Sequence, residues 1–233
     1  RAGVAEFVTY KNIFDESAAV TTSIIDQLAA GERQIEQRLR LRPNSVGIDL
    51  EFRPGDAAIF SNLADPPLAA QYRHALALIS RYNTLMLAYA TGQGFAQTEA
   101  ELAGLAREAS ATLGTITGTS VVGGLTPFIG VLQELSRYAL ASRSRAIFRE
   151  KALAYHDDIV GIIATMRDGS AQMFPNLTEN IKRDILNAVS TGQDITALRE
   201  KHRAARVLLS DWVVMMDKNI AALDAVVTAV QNP

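Results

Sequence analysis

Two long heptad patterns, one near each end of the chain, constrain this sequence most. Val4, Phe7, Phe14, Ala18, Thr21, Ile25, Leu28, Ile35 and Leu39 recur at alternating spacings of three and four. Ile195, Leu198, Ala205, Leu209, Trp212, Met216, Leu223, Val226 and Val230 do the same. That spacing lays one apolar stripe along one face of a helix. Stripes this long predict rods of roughly 55 Å at about 1.5 Å per residue, and rods with a single apolar stripe bury it by packing side by side. Hydrophobic residues make up 48% of the 233, enough for a core, and aromatics only 6%, which suits the thin core of a bundle.

Between the two ends, helix signals and breakers alternate. The first helix runs from about Val4 to Arg40, with Arg38, Arg40 and Arg42 at its end, where cations oppose the helix dipole, and Pro43 stops it. Residues 41–66 change character. Val46, Ile48, Leu50 and Phe52 alternate with Gly47, Asp49 and Glu51, a period of two, and Arg53-Pro54-Gly55-Asp56 suits a type II turn. This pattern predicts either a small β-hairpin at 46–61 or an extended loop lying on the helices. Asp65, Pro66 and Pro67 read as an N-cap and first turn. The helix they open carries Leu68, Tyr72, Leu76, Ile79, Tyr82, Leu85, Met86 and Tyr89, and Gly92 closes it.

Thr98 and Glu101 form a capping box before a shorter helix with Leu102, Leu105, Ala109 and Leu113. Residues 109–133 hold no charged residue and no histidine; their glycines and threonines argue against continuous helix and for a buried turn at Gly123-Gly124. The longest helix is expected from about Pro127 to Arg167, with a phase slip between Ala139 and Phe148 and an end at Gly169. Asn176 and Glu179 then open a short helix to about Ser190. Thr191-Gly192-Gln193 repeats Thr91-Gly92-Gln93, which reads as two glycine-capped helix ends, and Asp194 or Thr196 caps the last rod. The expected fold is therefore all-α: an elongated antiparallel bundle of four main helical rods, one of them broken, within a single domain over 1–233.

Residues able to carry chemistry are few. His74, His156 and His202 are the only histidines, and no Glu-x-x-His pair of the di-iron bundle type occurs. His156 adjoins Asp157 and Asp158, whereas His202 falls on the apolar stripe of the last helix and reads as a core residue. With no cysteine, thiolate ligands, disulfides and a cysteine nucleophile are excluded. No Gly-x-Ser-x-Gly, Walker loop or dinucleotide fingerprint is present. Met215 and Met216 beside Trp212 read as core packing. Arg137, Arg143, Arg145, Arg149 and Lys151, and likewise Arg199, Lys201, Arg203 and Arg206, alternate with glutamates as solvated helix faces do. Tyr72, Tyr82, Tyr89, Tyr138 and Tyr155 lie on predicted helices, with their phenols expected at the bundle rim. No catalytic, cofactor-binding or metal-binding residue is assigned. A net charge of −2 gives no general attraction to nucleic acid.

Two function classes remain. The first is a non-enzymatic structural or binding protein of the bacterial cell envelope, periplasmic or envelope-associated, with a protein or small-molecule partner. A start at Arg1 and the lack of cysteine suggest a mature exported chain, attached to the membrane through a removed N-terminal anchor of the lipoprotein kind. In the second, the uncharged stretch 109–133 and the period-two segment resemble the apolar tongue of α-helical pore-forming toxins. That resemblance implies a membrane-active bundle. No run of about eighteen apolar residues exists, which favours the first class. A ligand-sensing bundle would need transmembrane flanks that the sequence does not show.

Overall fold

The N-terminal heptads form one uninterrupted helix, α1 (Val4–Arg40), with Glu6 in its first turn and Arg38 and Arg40 in its last. The computed structural model describes residues 3–92, 103–104, 107, 128–135 and 144–232. After α1 come a 3-10 turn (Pro54–Asp56), the single-turn helix α2 (Ala57–Phe60) and α3 (Pro67–Thr91). A helical segment at 128–135 precedes α4 (Ser144–Ala154), α5 (His156–Asp168), α6 (Ser170–Ser190) and α7 (Thr196–Gln231). The fold is an all-α helical bundle, and no strand occurs among the described residues. The capping box at Thr98 and Glu101, the Gly123-Gly124 turn and most of 109–133 lie outside the described residues.

Four local expectations are refined. Of the two readings for 46–61 the loop is the one found: a turn at 45–47 leads into loop at 48–53, and Ala57–Phe60 is a helical turn with Ile59 at 4% exposure. The expected long helix is interrupted at Tyr155 (φ −108°, ψ 3°). Gly169 ends the helix as expected, with φ −63° and ψ −13°, but α6 starts at once at Ser170 and not at Asn176 and Glu179, with Pro175 inside it. Glycine is needed at 169 for space, since a Cβ there would collide with the Tyr72 hydroxyl. Finally, the N-terminal N–H groups of α3 are capped by Glu32, 36 residues before Leu68. Its carboxylate accepts from the Leu68 N–H at 2.8 Å and the Ala69 N–H at 2.9 Å. These N–H groups have no partner within the helix and would otherwise be buried unpaired.

The chain divides into two compact units. The first comprises Arg1–Thr21, Gln71–Gly169 and Trp212–Pro233; the second comprises Thr22–Ala70 and Ser170–Asp211. In the first unit, Phe7 stands edge-on to Phe148 with ring centroids 5.5 Å apart, and Tyr82 meets Phe128 at 5.8 Å. Trp212 is fully buried, as its place on the heptad stripe predicts. Its indole N–H donates to the Thr21 hydroxyl at 2.9 Å. The Asn219 amide donates to the Ser17 hydroxyl at 3.0 Å, so two buried polar pairs link α1 and α7. Of the tyrosines expected at the rim, Tyr72, Tyr82, Tyr89 and Tyr155 are buried, and Tyr138 lies outside the described residues. Tyr10 is buried too, and Tyr89 donates to the Leu135 carbonyl at 2.5 Å.

In the second unit, Ile24, Ile25 and Leu28 of α1 and Met173 of α6 are buried. Gly31 permits the closest approach. A Cβ there would collide with the backbone carbonyl of Asn176 on α6. The Asn180 amide donates to the Gln34 side-chain carbonyl beside it, and Arg38 faces Glu179 at 3.6 Å. The α1 stripe runs out here. Ile35 is half-buried and Leu39 is 74% exposed.

Candidate interaction surface

In the loop from residue 41 to residue 66, Asp49, Arg53 and Asp56 are drawn in, while most of the large apolar side chains are exposed. This arrangement starts at a tight turn. Asn44 donates its N–H to the Ile48 carbonyl at 2.9 Å, and its side-chain oxygen accepts from the Val46 N–H at 3.0 Å and the Ile48 N–H at 3.1 Å. Gly47 has φ +81°, a conformation L side chains rarely adopt. An asparagine side chain that replaces backbone partners in this way closes a turn without a strand neighbour.

Asp49 is the next fixture. Its carboxylate is 6% exposed. It accepts from Arg53 at 2.9 Å, from the Arg42 N–H at 2.9 Å and from the Glu51 N–H at 3.0 Å. The Arg53 guanidinium, with help from the two N–H groups, holds the Asp49 carboxyl well below the usual carboxylate range. Arg53 also donates to Glu51 at 3.0 Å. Arg40 at the end of α1 donates to Asp56 at 2.6 Å, and Gln37 donates to the Ile59 carbonyl at 3.0 Å. These bonds tie the loop to the last turns of α1 at several points.

With Asp49, Arg53 and Asp56 drawn in, most of the large apolar side chains are left to water. Val46 is 74% exposed, Leu50 and Phe52 are 81% exposed, and Leu63 is 99% exposed. Ile48, Leu41 and Phe60 join them at lower exposure. Single exposed apolar residues are ordinary, but a contiguous set of large ones is characteristic of binding sites. Fully burying a large apolar side chain gains about 1.5–3 kcal/mol. Four such side chains therefore offer about 6–12 kcal/mol, comparable to the ~4–15 kcal/mol cost of association.

Residues singled out for chemistry lie apart from this loop. His156 on α5 lies 2.9 Å from Asp157 and 2.7 Å from Asp224 of α7, within hydrogen-bonding distance of both carboxylates, in the first unit. His202 packs edge-on to Phe174 at 5.3 Å in the second. His74 is half-buried on α3. No group of three histidine, aspartate or glutamate side chains able to hold a metal occurs among the described residues.

Lys151 departs from the solvated-face expectation, whereas Arg149 is exposed as expected. Lys151 is 6% exposed and sits 2.9 Å from Glu134 and 3.1 Å from Glu150. Burial opposes its charge, but the two carboxylates outweigh burial and keep its pKa above the usual lysine value. Glu134 also accepts from the Tyr155 hydroxyl at 2.5 Å. Arg149 donates to the Val230 carbonyl at 3.1 Å, closing the end of α7. The heptad reading missed both contacts because each depends on a partner distant in sequence.

The fold and surface together define a class: an all-α bundle that presents a rigid apolar loop. No family model, curated protein or solved structure matches this chain. No described helix is long and apolar enough to cross a membrane.

Proposed function

We propose that this chain is a non-enzymatic binding protein of the bacterial cell envelope, and that the loop at residues 41–66 docks a protein partner. The observation that carries this reading is the outward display of Val46, Leu50, Phe52 and Leu63 on a loop fixed by Asp49 and Arg53. The charges beside those side chains are largely matched within the loop: Arg53 by Asp49 and Glu51, Arg40 by Asp56 and Glu36. A surface without a cationic collar favours the apolar groove of a protein over an anionic bilayer. A chain without cysteine suits an oxidising compartment, where an unpaired thiol is a liability.

A photoreactive phenylalanine analogue placed at Leu50, in the cells that make the protein, tests both parts. The expected result is a discrete protein adduct in the envelope fraction, absent when the analogue is at Val214 and lost on Phe52→Ser. A cytosolic adduct would overturn the location. No adduct from position 50, or equal adducts from both positions, would overturn the docking surface. Release of dye from liposomes by the unmodified protein would instead support the membrane-active class.

A further inference from the structure

The second unit carries another surface, independent of the loop. Helices α6 and α7 border an open cleft of about 200 Å³ lined by Lys182, Ile185, Leu186, Arg199 and His202. The spacing explains its two characters. On α6, Lys182, Ile185, Leu186 and Val189 fall at i, i+3, i+4 and i+7, so one helix face begins with a cation and continues apolar. On α7, Arg199, His202 and Arg206 occupy the corresponding face. Leu186 is 60% exposed and Val189 59% exposed, so the apolar wall is uncovered. Neither Lys182 nor Arg199 forms a salt bridge among the described residues, and no acidic side chain lines the cleft. By contrast, the basic residues at the loop are largely consumed by neighbouring carboxylates.

The second wall is held in place. Phe174 of α6 packs against His202, with centroids 5.3 Å apart, and the Arg206 guanidinium lies 4.7 Å from the same ring. This cation–π contact orients Arg206 and ties α7 to α6 beside the cleft. Asp194 acts electrostatically on Arg199 without forming an ion pair with it, so an uncovered apolar wall beside two exposed cations is complementary to a molecule with an alkyl chain and an anionic head. The cleft is smaller than the ~300–1,000 Å³ of pockets that enclose drug-sized ligands. It therefore suits one chain lying along Ile185 and Leu186, its head between Lys182 and Arg199, and not a multi-ring ligand.

We infer that the α6–α7 cleft binds a single-chain anionic amphiphile, with a carboxylate or phosphate head, through Lys182 and Arg199. The inference does not rest on the loop's having a protein partner. Calorimetric titration of the full chain with monomeric dodecyl phosphate tests it, with dodecyltrimethylammonium and inorganic phosphate titrated alongside. Saturable binding of dodecyl phosphate is expected, at least tenfold tighter than either comparison ligand. The double variant Lys182→Glu/Arg199→Glu should weaken it at least tenfold while circular dichroism stays unchanged, since both side chains are exposed. If that variant fails to fold, Leu186→Asp provides the same reading through the apolar wall. Equal binding of the cationic surfactant, or affinity unchanged in the variants, would overturn the site. Inorganic phosphate binding as tightly as dodecyl phosphate would overturn the amphiphile. Loss of binding on Leu50→Asp would move the ligand to the loop and overturn the assignment to this cleft.

Discussion

The two compact units spend their unusual residues in opposite ways. The first buries polar groups: Ser17, Thr21, Asn83 and Asn219 are all 2% exposed or less. The second exposes apolar ones. Of the fourteen large hydrophobic side chains exposed among the described residues, eleven belong to it, from Leu39 to Val207. Both choices carry a cost, since a buried polar group must find a partner and an apolar group outside meets water. They serve different ends. Buried pairs such as Trp212–Thr21 and Asn219–Ser17 can form in one register of α1 against α7 only, so they specify packing. An exposed apolar face specifies nothing within the chain, and the docking proposed above would account for it.

That contrast can be broken from either side. The largest effect is expected at Trp212→Ala, which removes a fully buried aromatic and leaves the Thr21 hydroxyl short of a partner. Urea denaturation should show a loss of about 3–5 kcal/mol. A near-zero loss would place Trp212 outside the core. Gly31→Ala comes next. Its Cβ would meet the Asn176 carbonyl, backbone against backbone, so the helices must separate. A loss of about 1–3 kcal/mol is expected from overpacking; a gain, as for glycine replaced at an open helical site, would show that the close approach does not exist.

Glu32 gives a pH-dependent test. Burial raises its pKa above the ordinary 4.5, although the Leu68 and Ala69 N–H groups pull it back. A carboxyl whose folded pKa is raised binds its proton more tightly in the folded state. Its contribution to stability is therefore complete below the unfolded pKa and is lost as pH rises through the folded one. Glu32→Gln should flatten this part of the stability–pH profile above pH 4.5, at an overall cost of about 1–2 kcal/mol for an imperfect cap. A profile of the same slope in the variant would remove Glu32 from the account. The smallest effect belongs to the loop: Leu50→Ser with Phe52→Ser should change stability by no more than about 0.5 kcal/mol each. A loss of several kcal/mol would mean that these side chains are core to this chain, and the contrast between the units would fail.

Much of the scaffold is legible in the sequence. The heptads predict helices over 4–40 and from about 196 to 230, and the structure has Val4–Arg40 and Thr196–Gln231. Gly92 and Gly192 take the positive φ values, +79° and +70°, expected of helix-ending glycines. What could not be read is decided at a distance. The cap on α3 comes from Glu32, and the need for glycine at 31 and at 169 comes from Asn176 and Tyr72. The interaction surface was half legible. A period of two says that Val46, Ile48, Leu50 and Phe52 share a side, but not whether that side meets a core or water. Asp49 settles the matter by taking the inner place, and an aspartate between apolar residues gives no sign of that in the sequence alone. The pairing of Lys182 with Arg199 across a cleft was equally hidden, because charges on two helices meet only through the turn that joins them.

The Asp49–Arg53 arrangement has a kinetic consequence. A loop that wanders in the free protein must be immobilised when a partner arrives, at about 1–2 kcal/mol for each residue so fixed. Here the residues from Arg42 to Arg53 already share one set of bonds before any encounter. If the loop docks a partner as proposed, capture resembles the meeting of two rigid bodies, with association constants in the ordinary ~10⁵–10⁷ M⁻¹s⁻¹ range. Differences in affinity among loop variants will accordingly appear as changes in how long the complex lasts.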